Sequence, residues 1–130
     1  MYRMSRSLQV LSLLALVFAA SVAASADVPA HRIVFKRGAV TADAVGRLTG
    51  MGDTLRYVLK ARAGQHMQIS VKADGATRGS IRFPNGDQDG GPGLDFDDIL
   101  PADGDYLITI NESPTGDEWK GTVRLHVSIR

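Results

Sequence analysis

The chain has 130 residues, a formal net charge of +1 and no cysteine. Without thiols the protein has no disulfide cross-links, no cysteine nucleophile and no N-terminal cysteine for lipid attachment. Aromatic residues make up 6% of the chain. A nucleic-acid-binding surface would need basic residues interleaved with aromatic side chains, and no such stripe is present, so partners of that class are not expected.

The first 26 residues have the three parts of a cleavable export signal. Arg3 and Arg6 form a positive start, residues 10–20 form an uncharged apolar stretch too short to span a bilayer, and small residues at 24–26 suit signal peptidase. We therefore expect residues 1–26 to be a cleaved signal peptide. Residues 27–130 would then form one exported domain that is not attached to a membrane.

Apolar and polar residues alternate with a period of two along most of this domain, which is typical of half-buried strands. The inward rows are Leu55, Tyr57, Leu59 and Ala61; Met67, Ile69 and Val71; Tyr106, Ile108 and Ile110; and Val123, Leu125, Val127 and Ile129. Shorter strands are predicted at 32–36, 42–48, 79–83 and 95–99. The pattern predicts an all-β fold, an antiparallel two-sheet β-sandwich of about eight strands. The runs on either side of residues 63–65 are predicted to form an antiparallel hairpin.

Charge is distributed unevenly along the domain. Residues 28–82 contain ten Lys or Arg and three Asp, whereas residues 83–119 contain ten Asp or Glu and no Lys or Arg. One interpretation is an acidic rim that steers a cationic partner. The alternative is an ordinary solvated surface with acidic turns. The residues of the predicted rim are Asp87, Asp89, Asp95, Asp97, Asp98, Asp103 and Asp105.

The sequence has no arrangement typical of a catalytic site. Ser70 and Ser128 lie within predicted strands and Ser80 at the start of one, none in a nucleophile-elbow sequence. The three histidines are scattered, which does not indicate zinc. We therefore do not expect an enzyme, although the density of carboxylates, Asp95 and Asp97 among them, leaves a catalytic role as an alternative.

One segment resembles the beginning of a calcium-binding loop. Asn85, Asp87 and Asp89 supply oxygen donors at alternate positions and Gly90 follows, but Phe96 stands where the loop needs a bidentate glutamate. Asp95 or Asp97 could take that place. Because Asn, Gly, Asp and Pro also build ordinary turns, we expect no cofactor and keep a calcium site at these residues as the alternative.

Two blocks resemble the periplasmic inhibitors of goose-type (g-type) lysozyme. They are residues 57–67 (YVLKARAGQHM), preceded by Gly46 and Gly50, and residues 100–110 (LPADGDYLITI). The resemblance covers nearly all of residues 32–130. The same blocks resemble the β-sandwich domains at the C-termini of secreted peptidases. The inhibitor family is favoured because here the domain makes up the whole exported chain.

The resemblance implies a periplasmic binder that inserts loops from one end of its sandwich into the cleft of a g-type lysozyme or another cationic muramidase. The main candidate is the loop before the last strand, where Pro114 would limit conformational freedom and Trp119 would act as an anchor or else cap the core. A hairpin turn at residues 50–53 is the second candidate. The implied partner-binding residues are Met51, Asp53, Glu112, Ser113, Pro114, Thr115, Asp117, Glu118 and Trp119. The family has basic residues in the main loop, whereas this chain has acidic ones.

Two further alternatives concern function and assembly. The domain could be a secreted accessory binding module, linked to calcium or to a glycan, like the domains of the secreted peptidases. A homodimer is also compatible with the sequence.

Overall fold

The computed structural model describes residues 29–130, which form nine strands and no helix. The strands are β1 His31–Arg32, β2 Thr41–Leu48, β3 Thr54–Ala61, β4 His66–Ala73, β5 Thr77–Arg82, β6 Gln88–Pro92, β7 Phe96–Ile99, β8 Gly104–Glu112 and β9 Gly121–Ile129. The predicted signal peptide at residues 1–26 and the cleavage site lie outside the described residues. Within those residues, no helix has the length and apolar character needed to cross a membrane.

The strands form two sheets that pack face to face. Sheet A has the order β1-β3-β8-β5-β6, and sheet B has the order β2-β9-β4-β7. All neighbours are antiparallel except β1 and β3, which are parallel. The predicted all-β, two-sheet β-sandwich is confirmed.

The core lies between the sheets and is made by the alternating rows. Tyr57 and Leu59 of β3, together with Tyr106 and Ile108 of β8, are buried from sheet A. Sheet B contributes the buried rows of β4 and β9, which are Met67 and Ile69, and Val123, Leu125 and Val127. Burial of apolar area between the two faces is the main stabilising term for such a domain.

The predicted hairpin around residues 63–65 was wrong. β3 pairs with β8 in sheet A, whereas β4 pairs with β9 and β7 in sheet B. The short connection therefore crosses from one sheet to the other. The turn at residues 50–53 is likewise not a hairpin, because β2 belongs to sheet B and β3 to sheet A. A short loop suits both geometries, and both allow the two apolar rows to face inward, so the local sequence does not distinguish them.

The predicted strands did not include residues 88–92, and this omission was also wrong. They form β6, which pairs with β5 from Arg82↔Gln88 to Arg78↔Pro92. The strand contains two glycines and a proline and no apolar row, so its sequence has no strand pattern. At the other edge, the strand predicted at 32–36 is limited to His31–Arg32, followed by one further bond from the Ile33 amide to the Val58 carbonyl at 2.8 Å.

Candidate functional site

Both loops of the predicted binding site lie at the same end of the sandwich. Three connections meet there: residues 49–53 between β2 and β3, residues 74–76 between β4 and β5, and residues 113–120 between β8 and β9. We call this the loop end. The strand registers agree with this placement of the three connections, because Leu48 lies opposite Gly121 and Thr54 lies opposite Asn111.

The 49–53 connection is held in shape by the carboxylate of Asp53. The backbone N–H and hydroxyl of Thr49 donate to Asp53 Oδ2 at 3.0 and 2.9 Å, and the Thr54 N–H donates to Oδ1 at 2.9 Å. The hydrogen bond from the Thr49 hydroxyl holds the pKa of Asp53 below its usual value. Gly50, with φ +145°, accepts from the Asp53 N–H. Asp53 therefore organises the loop from within, while Met51 at its tip is 49% exposed.

The 113–120 connection rests on residues 74–76. The carbonyl oxygen of Ala76 accepts two hydrogen bonds, from the Ser113 N–H and from Trp119 Nε1, both at 2.9 Å. At the end of the loop, the Asp74 carboxylate accepts the Thr122 N–H at 2.8 Å. These bonds tie the loop and the start of β9 to a neighbouring connection, which restricts the motion of the loop.

Glu112 is not a surface residue. It continues the inward row of β8 after Ile110, and it is only 4% exposed. Its Oε1 accepts the Trp119 N–H at 2.6 Å, and its Oε2 is buried without a hydrogen-bond partner. The expectation that Glu112 pairs with a cation of a partner is corrected: burial directs this carboxylate to the backbone of its own loop.

Trp119 packs against the core and is partly buried. Its indole lies over Gly75, so closely that a Cβ atom added at Gly75 would be 2.5 Å from ring atoms. Together with the hydrogen bonds of its two N–H groups, this contact holds the start of β9. Of the two sequence-based interpretations of Trp119, the core cap agrees with this packing, while part of the ring remains at the surface.

The two loops meet through Glu118 and Gly50. A Cβ atom built at Gly50 would be 3.0 Å from Glu118 Oε1. Between the loops lies a shallow depression of about 450 Å³, lined by Thr49, Gly50, Met51, Gly52, Asp53 and Glu118. The other residues predicted in the main loop, Pro114, Thr115 and Asp117, are exposed beside it. Sequence reasoning missed Gly75 and Ala76, which support the loop; neither residue has a sequence signal for that role.

Most of the predicted acidic rim lies away from the loop end, and part of it is neutralised. Five of its carboxylates are on or beside the edge strands β6 and β7: Asp87, Asp89, Asp95, Asp97 and Asp98. Hydrogen bonds from His66 and Gln68 lower the pKa of Asp97. Arg32 forms a two-pronged ion pair with Asp105, at 3.1 and 2.9 Å, and lowers its pKa as well.

Two residues of the calcium-loop interpretation accept local backbone hydrogen bonds. Asn85 Oδ1 accepts the Asp87 N–H at 2.9 Å within a turn, and Asp89, already in β6, accepts the Gly90 N–H at 2.7 Å. Asp95 follows after the end of that strand and lines one shallow depression together with Asp89. Across residues 29–130, no three carboxylate or imidazole side chains come together as a metal site would require.

The described chain is thus a small two-sheet β-sandwich with two ordered loops in contact at one end. No family model and no curated protein matches it. Among solved structures it is similar to PliG of Aeromonas hydrophila, a periplasmic lysozyme inhibitor of g-type lysozyme. The two chains are 26% identical with a TM-score of 0.65, and the match covers 78% of this chain and 96% of that one.

Two further structures share the fold. PliG of Salmonella Typhimurium, also a periplasmic inhibitor of g-type lysozyme, is 19% identical with a TM-score of 0.60, over 76% of this chain and 96% of that chain. The pre-peptidase C-terminal domain of collagenase from Bacillus anthracis is 17% identical with a TM-score of 0.52, over 78% and 95%. Both resemblances noted in the sequence are therefore matched by similar structures.

Proposed function

We propose that this chain is an exported periplasmic protein that inhibits a g-type lysozyme by inserting the loop end of its sandwich into the substrate cleft of the enzyme. The observation that carries the proposal is the close approach of Glu118 to Gly50 across the depression that both residues line. It brings two loops, far apart in sequence, into one surface at the end of a sandwich that is similar to the PliG inhibitors.

The shape of the loop end supports a role in obstruction. A plug loses less entropy on binding when its loops are already ordered. Here Asp53 holds one loop, and Ala76, Glu112 and Trp119 hold the other. Ordered loops on a rigid β-scaffold are the usual form of a binding surface.

The chemistry of the loop end suggests how it would contact an enzyme. Met51 offers an exposed apolar side chain at the tip of the first loop, suited to fill a small pocket. Asp117 and Glu118 are exposed acids on the second loop, where residues 113–119 contain no Lys or Arg. They would pair with cationic groups along the cleft and would speed association with a basic enzyme.

The direct test is inhibition of lysis. Purified protein beginning at residue 27 is titrated into a g-type lysozyme acting on a turbid suspension of cell walls, with lysozymes of other classes tested in parallel. We expect lysis by the g-type enzyme to stop near a stoichiometric amount of protein. Undiminished lysis at a large molar excess would refute the proposed function.

Met51 permits a matched test of the binding surface. Met51→Ala should weaken inhibition about tenfold, because truncation of a central contact residue commonly costs more than 1 kcal/mol. The control is Ile99→Ala, since Ile99 is 57% exposed on the edge strand β7, away from the loop end. Equal effects of the two variants would show that the loop end is not the contact surface.

A second pair of variants separates local charge from overall charge. Asp117→Asn with Glu118→Gln removes two negative charges at the loop end, and Asp87→Asn with Asp89→Asn removes two elsewhere. We expect the first pair to slow association by about tenfold at low salt and the second to have little effect. If the two pairs slow association equally, only net charge matters and the loop acids have no special role.

The export step is tested separately. A periplasmic fraction should contain a product whose intact mass corresponds to residues 27–130, as cleavage after Ala26 requires. A full-length product that stays in the cytosol would contradict the proposed location.

A further inference from the structure

The outer edge of β2 is the one long edge among residues 29–130 that lacks protection against pairing with another strand. Edge strands usually avoid such pairing by being short, by carrying proline or by repelling charges. β1 has two residues, β6 contains Gly-Gly-Pro, and β7 has four residues with adjacent Asp97 and Asp98. β2 has eight residues and no proline, and in sheet B it pairs only with β9.

The backbone pattern identifies which groups of β2 point to this open edge. The Ile129 N–H donates to the Val40 carbonyl at 2.8 Å, so that pair is hydrogen-bonded within the β2–β9 ladder. Hydrogen-bonded pairs alternate in an antiparallel ladder. Ala42, Ala44 and Gly46 therefore bond to β9. The N–H and C=O groups of the odd-numbered residues 41, 43, 45 and 47 point away from it, toward the open side of the sandwich.

The side chains of the same odd-numbered residues form a self-complementary row on the outer face. Val45 stands at the centre of the row and is 59% exposed. Asp43 lies two residues before it and Arg47 two residues after it, and both are exposed. Within residues 29–130, Arg47 makes no salt bridge, while Asp43 contacts His126 at 2.6 Å.

From this row we infer that β2 is a homodimer interface, in which two copies pair their β2 strands antiparallel about a two-fold axis between the two Val45 residues. In that register Asp43 of each copy is directly opposite Arg47 of the other, and Thr41 is opposite Thr49. The outward backbone groups of residues 43, 45 and 47 then face the same groups of the second copy, so that they can form a regular antiparallel ladder. The two sheets B would become one sheet of eight strands.

Neighbouring registers lack this complementarity. An axis through residue 44 or 46 would set Asp43 and Arg47 opposite uncharged residues, without an ion pair. An axis through residue 43 would set Asp43 against its own copy, and an axis through residue 47 would do the same with Arg47. Like charges directly opposite each other in a sheet are destabilising, and opposite charges are stabilising. The charges thus select the register centred on Val45.

The open side offers room for the second copy. A groove of about 640 Å³ runs along it, lined by residues of β2, β3, β1 and the segment after β1, among them Val34, Val45 and Leu55. Because the two-fold axis reverses the strand direction, the two loop ends would point in opposite directions. Apart from Thr49 at the base of the 49–53 loop, each copy of the dimer would keep its loop end clear, so the dimer and the proposed inhibition are independent of each other and fail separately.

The absence of cysteine allows a clean cross-linking test in the exported chain. At a hydrogen-bonded antiparallel pair the two Cα atoms are about 5.5 Å apart, within the range that a disulfide spans. Val45→Cys should therefore form a covalent dimer under mild oxidation, at least about ten times faster than Ile99→Cys. Ile99 is a matched control because it is similarly exposed on another edge strand. Equal rates for the two variants would overturn the proposed interface.

A charge exchange tests the register by sedimentation over protein concentrations from about 1 µM to about 1 mM. Arg47→Asp alone and Asp43→Arg alone should each weaken dimerisation at least tenfold, because each places like charges opposite each other. The double variant should restore the wild-type constant within about threefold. A wild-type chain that stays monomeric up to about 1 mM would refute the dimer, and a double variant as weak as the singles would refute this register.

Discussion

Substitution of Gly75 by alanine tests whether the 113–120 loop is held by its contact with residues 74–76. A Cβ atom at this position would lie 2.5 Å from three indole atoms of Trp119, far inside van der Waals contact. Gly75 does not have a positive φ, so its backbone accepts alanine without strain. The expected effect therefore comes from the indole alone.

The expected loss in the free energy of unfolding follows from the interactions that the indole ring loses when it is displaced. Overpacking of this kind costs about 1–3 kcal/mol. Moving the ring also breaks the 2.9 Å bond from Nε1 to the Ala76 carbonyl, which is worth about 1 kcal/mol. Alanine also lowers the conformational entropy of the unfolded chain, which stabilises the folded state by about 0.4–1 kcal/mol. We expect a net loss of about 2 kcal/mol in the free energy of unfolding.

Two measurements report on this variant. Urea unfolding gives the change in free energy, and fluorescence follows Trp119 directly because it is the single tryptophan of the chain. We expect a lower unfolding midpoint and a shift of the native emission to longer wavelength as the ring becomes more exposed. Gly52→Ala is the matched control, since a Cβ atom there would have no neighbour within 4 Å.

A double-mutant cycle identifies the cause. If the indole accounts for the loss, Gly75→Ala should cost less than about 0.5 kcal/mol in a Trp119→Ala background. The reasoning is refuted if Gly75→Ala leaves both the unfolding midpoint and the emission unchanged, or if it is equally costly without the indole.

Two further predictions concern the core and the first loop. Tyr106 is fully buried, and its hydroxyl donates to the Ala102 carbonyl at 2.7 Å. In urea unfolding, Tyr106→Phe should therefore lower the free energy of unfolding by about 1 kcal/mol, and Tyr106→Ala by about 3–5 kcal/mol. Equal losses for the two variants would mean that the ring is not packed. Because the folded-state pKa of Asp53 is depressed, its stabilising contribution is complete above the unfolded pKa and is lost as pH falls through the folded pKa. The stability difference between wild type and Asp53→Asn should therefore be constant above about pH 5 and shrink below about pH 4; a difference independent of pH would contradict this role.

The architecture shows what a period of two can and cannot predict. The inward rows of β3, β4, β8 and β9 follow from sequence because alternate side chains of a strand point to opposite faces. Pairing does not follow, because each row specifies a face and not a neighbour. The hairpin expected around residues 63–65 failed for this reason: β3 and β4 are adjacent in sequence but lie in different sheets.

For the loop end too, some features could be predicted from the sequence and others could not. The sequence indicated two candidate loops, and the burial of Glu112 could have been predicted, since it occupies the next inward position after Ile110 on β8. The contact of Glu118 with Gly50 and the stacking of Trp119 over Gly75 could not be predicted, because they join residues from connections that are distant in the chain.

The sequence alone determined the all-β class, the inward and outward faces of the long strands and the two candidate binding loops. These features depend on local alternation of apolar and polar residues and on turn chemistry. Only the tertiary structure decided which strands pair, that residues 88–92 form a strand, and that both loops share one end. Those features depend on how two apolar faces are buried against each other, which brings together residues that local patterns cannot relate.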